Sequence, residues 1–497
     1  MSRVFQRKQF ALFLLVFQVS FIILFSLFAH FTDHALPDNV PLQVNGTTLT
    51  LLQAMEQRPH QRLISTDYPL FQDIHVLSLV GFGFIMAFMK RYGFAAVSVN
   101  LLLVAFASQW AMLVRGFLSE EFQTERRFLI SIEELMIADL SCAPVLIAMG
   151  ALIGRLTPVQ FMIMAFIETA ICTLVDHLFI KILHCNDGGR SLVTHAFGAY
   201  FGLACSLTSR RVRMISSRGT LKSVGDYETE YDEREGSHID HYELFSMIGT
   251  LFMWIFFPSF NAAAQDPEDA RFRAVINTYL SLMSCTCVTF LVSSLVDKQG
   301  RFNMLHIQSS TLAGGVAIGS VANAILFPWQ SLAIGFLAGI ISVLGYAYLQ
   351  PLLKSAFRIS DTCGVHNLHG LPGLLAGICS IIMPLVYKPE LYGTTLYEIY
   401  PYYEGGPKNG NRDALEQAGY QLLGMLIVIA CAIVGGLFTG ALLRWTAFNQ
   451  MNDPTCAHAE NASRGGFYYG DPHAEWKRAF EERELQLRLR NPHEDIY

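Results

Sequence analysis

Long apolar runs alternate with short polar connections along most of the chain. The runs fall at about 10–31, 72–89, 93–114, 130–153, 159–183, 191–208, 241–260, 274–296, 303–327, 331–350, 365–387 and 418–446. A hydrocarbon core about 30 Å thick is crossed by roughly 20 helical residues. In lipid the backbone has no water to bond, so such a run satisfies itself as a helix. The pattern therefore predicts an all-α polytopic membrane protein with twelve transmembrane helices. The first run is too long for a signal-peptide core and is read as a retained helix.

Charge orients the array. Arg3, Arg7 and Lys8 precede the first run, and the next basic residue after it is Arg58. The positive-inside rule then puts the N-terminus in the cytoplasm, and an even number of crossings returns the C-terminus there. Lys90, Arg91, Arg210, Arg211, Arg213, Lys354 and Arg358 fall in connections assigned inside. The expected organisation is an N-terminal transmembrane helix (1–31), an extracellular loop (32–71), a first five-helix repeat (72–208), a cytoplasmic loop (209–240), a second five-helix repeat (241–387), an extracellular loop (388–417), a last helix (418–446) and a cytoplasmic tail (447–497). The first loop carries the sequon Asn45-Gly46-Thr47, so Asn45 is expected to be glycosylated. A second sequon at Asn461 lies in the tail and is not.

Each five-helix block ends in a similar segment. Residues 187–202 read DGGRSLVTHAFGAYFG and residues 361–377 read DTCGVHNLHGLPGLLAG. In both, an Asp is followed eight residues later by a His, and a glycine pair follows: Gly198/Gly202 and Gly373/Gly377. An odd number of helices per block gives the halves opposite orientation, the architecture of two inverted repeats, which places a shared site near the bilayer midplane. Eight residues of α-helix drop each His about 12 Å below its Asp. His195 and His369 are thus expected side by side in the pore. Two neutral imidazoles can share a hydrogen bond and still offer ring edges to a small guest that donates and accepts. Asp187 and Asp361 stand at helix starts. They suit capping of first-turn amides, with attraction of cations at the outer mouth as the alternative for Asp187. His366 and His306 have no counterpart in the other half and are read as packing or vestibule residues. Asp139 and Asp176 fall inside apolar runs and need partners.

Composition narrows the class. Hydrophobic residues make up 52% and charged ones 15%, with mean hydropathy +0.36, against about 25% charged in soluble domains. The net charge of −6 sits mostly in loops and tail, and nothing suggests nucleic-acid binding. The ten cysteines are scattered and show no metal spacing. No metal, cofactor or enzyme chemistry is expected. In the tail, Trp476, Phe480 and Leu487 recur among charged residues. That pattern fits either a helix on a cytoskeletal or adaptor partner or on the membrane surface, or a solvated, frayed tail.

The segments 67–94, HAFGAYFGL (195–203), FSMIGTLFMWIFFPSFNAA (245–263), HIQSSTLAGGVAIG (306–319) and DTCGVHNLHGLPG (361–373) resemble the Rh glycoprotein branch of the ammonium transporter/Rh family. The resemblance implies a plasma-membrane homotrimer with one pore per protomer. It implies that His195 and His369 are the twin pore histidines, and that Asp187 is the acid near the outer vestibule. It places the inner gate at Phe260 and the outer gate at Leu140, where relatives carry Phe. The function it implies is an ammonia/ammonium channel: ammonium sheds its proton and neutral NH3 passes the histidines. Carbon dioxide is a further candidate guest. The competing class is a non-transporting ammonium sensor or membrane scaffold, which has no need of intact pore histidines.

Overall fold

The computed structural model describes residues 3–32, 63–88, 93–209 and 239–445 apart from positions 266, 358, 387–388, 407 and 409, together with residues 43–44, 47–48, 214–215, 221–222 and 448. Asn45, Asn461 and the tail residues Trp476, Phe480 and Leu487 lie outside the described residues, as does most of the loop at 209–240.

The described chain is a stack of long helices. They are α1 (Arg3–Phe28), α2 (Leu63–Val76), α3 (Gly93–Leu118), α4 (Ile132–Leu152), α5 (Pro158–His177), α6 (Phe197–Thr208), α7 (Ile239–Ala262), α8 (Glu268–Val296), α9 (Met304–Ser310), α10 (Ala313–Gly319), α11 (Pro328–Leu344), α12 (Leu371–Val386) and α13 (Ala414–Leu443). Ten helical segments are each long and apolar enough to cross a membrane alone. The other two crossings are assembled from shorter pieces. One is a π-helical turn, Ser191–Ala196, running into α6. The other is α9 followed by α10. These make up the twelve crossings, six on each side of the 209–240 connection, where the first and last of them flank two blocks of five. The run expected to continue to 327 ends as helix at Gly319. The chain then turns, because the Asn277 side chain of α8 donates to the carbonyls of Ala322 and Ile325, 2.9 Å each, and so supplies partners that a helix would otherwise give.

Helix starts follow their capping chemistry. Ser131 accepts from the Glu134 amide at the start of α4. Thr157 with Gln160, and Asp413 with Glu416, form reciprocal capping boxes before α5 and α13. Close helix approach rests on glycine. A Cβ on Gly436 of α13 would meet the Phe201 carbonyl oxygen of α6 at 2.3 Å, so the two backbones touch there. α1 joins the bundle through rings: Phe17 meets Phe106 and Phe166, and Phe21 stacks on Trp110 at 5.9 Å. Just beyond α1, Ala29–Phe31 pairs as a short parallel strand with Phe128–Ile130.

Two intramembrane acids find partners far away in sequence. Asp139 of α4 meets His75 Nδ1 of α2 at 2.7 Å. Asp176 of α5 pairs with Arg190 and lies 3.6 Å from Arg115 of α3.

Candidate functional site

Both repeat segments are built alike. After α5, the amides of Gly188 and Gly189 donate to the Ser320 and Gly319 carbonyls, at 3.3 and 2.7 Å. Arg190 then adopts a left-handed backbone with φ of 58°, and the π-helical turn Ser191–Ala196 begins. The Asp187 carboxylate accepts from the amides of Leu192 and Val193, each at 3.0 Å, and from the Ser320 hydroxyl. In the second half, Asp361 accepts from the Val365 and His366 amides at 2.9 and 2.8 Å. Gly364 supplies the positive φ of 73° that lets the chain turn into the π-helical segment His366–Gly370, which continues as α12. Burial pushes the Asp361 carboxyl up to about 6, against the pull of the His366 and Val365 amides. Burial raises Asp187 as well, opposed mainly by Ser320 and the Val193 amide. Both acids therefore hold the starts of broken helical segments.

The expectation of one α-helix from Asp to His needs correction. Residues 187–190 form a turn and residues 361–364 bend, so only part of each eight-residue interval rises at helical pitch. The wider π-helical turn then carries the histidine. The figure of about 12 Å for a continuous α-helix therefore does not describe the interval from Asp to His.

The two histidines meet. His195 Nδ1 lies 3.1 Å from His369 Nδ1, with ring planes 6° apart. Both rings are buried. Aromatic rings close the two ends of the pair: Phe82 faces His369 at 6.1 Å, while Phe257 and Phe260 lie 5.7 and 5.5 Å from His195. His195 Nε2 has no hydrogen-bond partner in the protein. An Nδ1–Nδ1 bond fixes complementary tautomers. One ring donates through Nδ1 and keeps a bare Nε2; the other accepts at Nδ1 and carries its proton on Nε2. The pair thus presents one acceptor and one donor along an apolar lining.

Of the gate positions, Phe260 touches the pair directly. Leu140 instead lines a small cavity, about 20 Å³, together with Ile137, Asp176, Arg190 and Thr194, the last being the neighbour of His195. That volume suits one water. His366 packs edge-on to Tyr200 at 5.8 Å. His306 bonds to Ser293 at 3.1 Å. Sequence reasoning missed Asp73, whose carboxylate accepts from Ser259 at 2.6 Å, next to Phe260. It also missed Glu168, a carboxyl inside the run 159–183; a lone Glu among apolar residues was the available signal.

The match to known proteins is extensive. The model of the Ammonium Transporter Family matches residues 46–462. The chain is 41% identical over 389 residues to ammonium transporter Rh type B of Xenopus tropicalis, spanning 78% of this chain and 80% of that one. It is 39% identical over 406 residues to ammonium transporter Rh type C of Homo sapiens, spanning 80% and 81%. The solved structure of Nitrosomonas europaea Rh50, titled as a study of conduction by the Rhesus family of channels, aligns with a TM-score of 0.64 at 29% identity over 86% of this chain and 98% of that one. Candida albicans Mep2 shares the fold, with a TM-score of 0.57 at 16% identity over 81% and 92% of the two chains.

Proposed function

The chain belongs to the ammonium transporter family, in its Rh branch, and on that premise we propose that it conducts ammonia through a pore built on His195 and His369. Ammonium gives up its proton on the outer side of the Phe260 ring, and NH3 passes along the histidine edges. The observation that carries this reading is the 3.1 Å contact between two buried imidazoles, with His195 Nε2 left without a partner for a guest. Ammonia donates and accepts, so it matches the one-donor, one-acceptor lining. A bare K⁺ or Na⁺ has no proton to leave behind and faces the full cost of entering an apolar pore. A second proton on the pair sets two N–H groups against each other across 3.1 Å, so the lining favours a neutral guest. The proposal includes a plasma-membrane homotrimer with both termini cytoplasmic and Asn45 outside.

The test is ammonium-driven internal pH change in proteoliposomes. Wild-type vesicles should alkalinise faster than empty ones, and His195→Ala and His369→Ala should each lose most of that rate. His366→Asn should keep it, because that ring does not join the pair. Equal rates in wild type and both alanine variants, with loss in His366→Asn, overturn the assignment.

A further inference from the structure

Glu168 lies in the middle of α5 with its side chain fully buried. Neither carboxyl oxygen has a hydrogen-bond partner, and no ion pair reaches it among the described residues. Every other acid discussed above is engaged: Asp139 with His75, Asp176 with Arg190, Asp187 and Asp361 with backbone amides. A buried polar group left without a partner calls for an explanation, and an ionisable one inside a membrane span is a functional site by default.

The surroundings say what Glu168 takes. The thiols of Cys172, one turn along α5, and of Cys205 on α6 lie near it. Charges on the packed elements gather elsewhere. Arg115 of α3, Glu134 of α4 and Arg190 of the π-helical turn cluster around Asp176, two turns away or about 12 Å along the helix. Asp139 of α4 is taken up by His75, and His195 by His369. Lys181 and His177 follow at the C-terminal end of α5, Glu416 and Arg444 mark the ends of α13, and α1 carries no charge over residues 9–28. With no cation or donor at hand, a carboxylate here is uncompensated. The acid form brings its own O–H and needs none.

We propose that Glu168 is a proton-binding site of this chain, separate from the histidine pair. Glu168, Cys172 and Asp176 recur every four residues and so share one face of α5. Cys172 and Asp176 both line the cavity beside Leu140, which suits one water, and Cys172 donates to the Val193 carbonyl at 3.1 Å. A proton entering at that cavity is one helical turn from Glu168. The carboxylate accepts it as an O–H and returns it by the same face. The chain thereby has a place to hold a proton within the membrane that does not charge the pore lining.

A buried, protonated carboxyl reacts with the apolar reagent dicyclohexylcarbodiimide. Its oxygen adds to the carbodiimide carbon, its proton passes to one nitrogen, and the adduct rearranges to a stable N-acylurea with no leaving group. The full chain in proteoliposomes should be labelled and digested, and the peptide containing Glu168 weighed. Labelling should appear at Glu168 under acid conditions and fall by about tenfold per pH unit once the group has titrated. It should be absent at that peptide in Glu168→Gln, while labelling elsewhere persists. The carboxylic C=O stretch lost in the infrared difference between wild type and Glu168→Gln gives a second readout. No label at Glu168 at any pH, or a label unchanged from about pH 5 to about pH 9, overturns the proposal. Neither result bears on ammonium flux, so the pore reading stands or falls separately.

Discussion

Replacing Asp187 by alanine removes the acceptor of three buried hydrogen bonds at once: from the Leu192 amide, the Val193 amide and the Ser320 hydroxyl. Each buried donor left without a partner costs about 1–3 kcal/mol. The three share one carboxylate and do not add fully, so the loss is on the order of 3–6 kcal/mol. Asparagine is different. Its carbonyl oxygen can keep the two amides, and its amide nitrogen can donate to Ser320, whose hydroxyl turns to accept. What is lost is the charge assistance, about 1 kcal/mol. The assay is thermal unfolding of detergent-solubilised protein, followed by the monodisperse fraction after heating, with ammonium uptake measured on the same preparations. Asp187→Ala should lose its monodisperse peak at a clearly lower temperature. Asp187→Asn should stay near wild type in stability and retain uptake. An asparagine variant as stable as wild type but without uptake would refute the reasoning, because the carboxylate's charge rather than its acceptors would then be what the site uses.

Further outcomes follow from other parts of the structure. Phe260→Ala opens the ring that faces His195 and should speed methylamine entry, whereas Leu140→Phe fills the small cavity beside Thr194 and should slow it; unchanged methylamine rates in both remove these positions from the constriction. Asp361 prefers its proton in the fold, with its titration raised from 3.8 to about 6 by burial, so its contribution to stability is complete below about pH 4 and is lost as pH rises through 6. Asp361→Asn should lack that part of the pH dependence of melting. Gly436→Val sets a branched side chain against the Phe201 carbonyl and should cost several kcal/mol, roughly 3 or more, seen as failure to elute as a folded species. Glycosidase treatment should shift wild type and Asn461→Gln on a gel and leave Asn45→Gln unmoved.

Much of this fold was written in the run lengths. All twelve apolar runs became crossings, including two that no single helix spans, because hydrocarbon thickness constrains length whatever the local helix type. The histidine pair was legible because repetition makes two weak signals into one. What the sequence hid were contacts set by tertiary approach. Nothing in the spacing ties Asp139 to His75, 64 residues apart, or Asp176 to both Arg190 and Arg115. The π-helical turns under both histidines were missed because the apolar pattern differs little between α and π over five or six residues. Glu168 was passed over because a single Glu in an otherwise apolar run looks like noise until its surroundings are known.

The attachment of α1 bears on how the protein is made. Most of its ring contacts are with the segment that follows, among them Phe106, Trp110 and Phe166, its Gln18 reaches Gln109 at 2.9 Å, and the strand that follows it pairs with Phe128–Ile130. These partners lie roughly 90 to 150 residues downstream. At 5–20 residues per second they leave the ribosome several seconds after α1 does. α1 must therefore survive alone in lipid during that interval, and its unbroken apolar run, with Gln18 as the one amide in its middle, suits it to wait. The segment of α9 and α10 could not do the same, since Gln308 and His306 need α7 and α8 at once. The order of the helices along the chain thus doubles as a schedule, with the self-sufficient span first and the dependent ones delivered next to partners already in place.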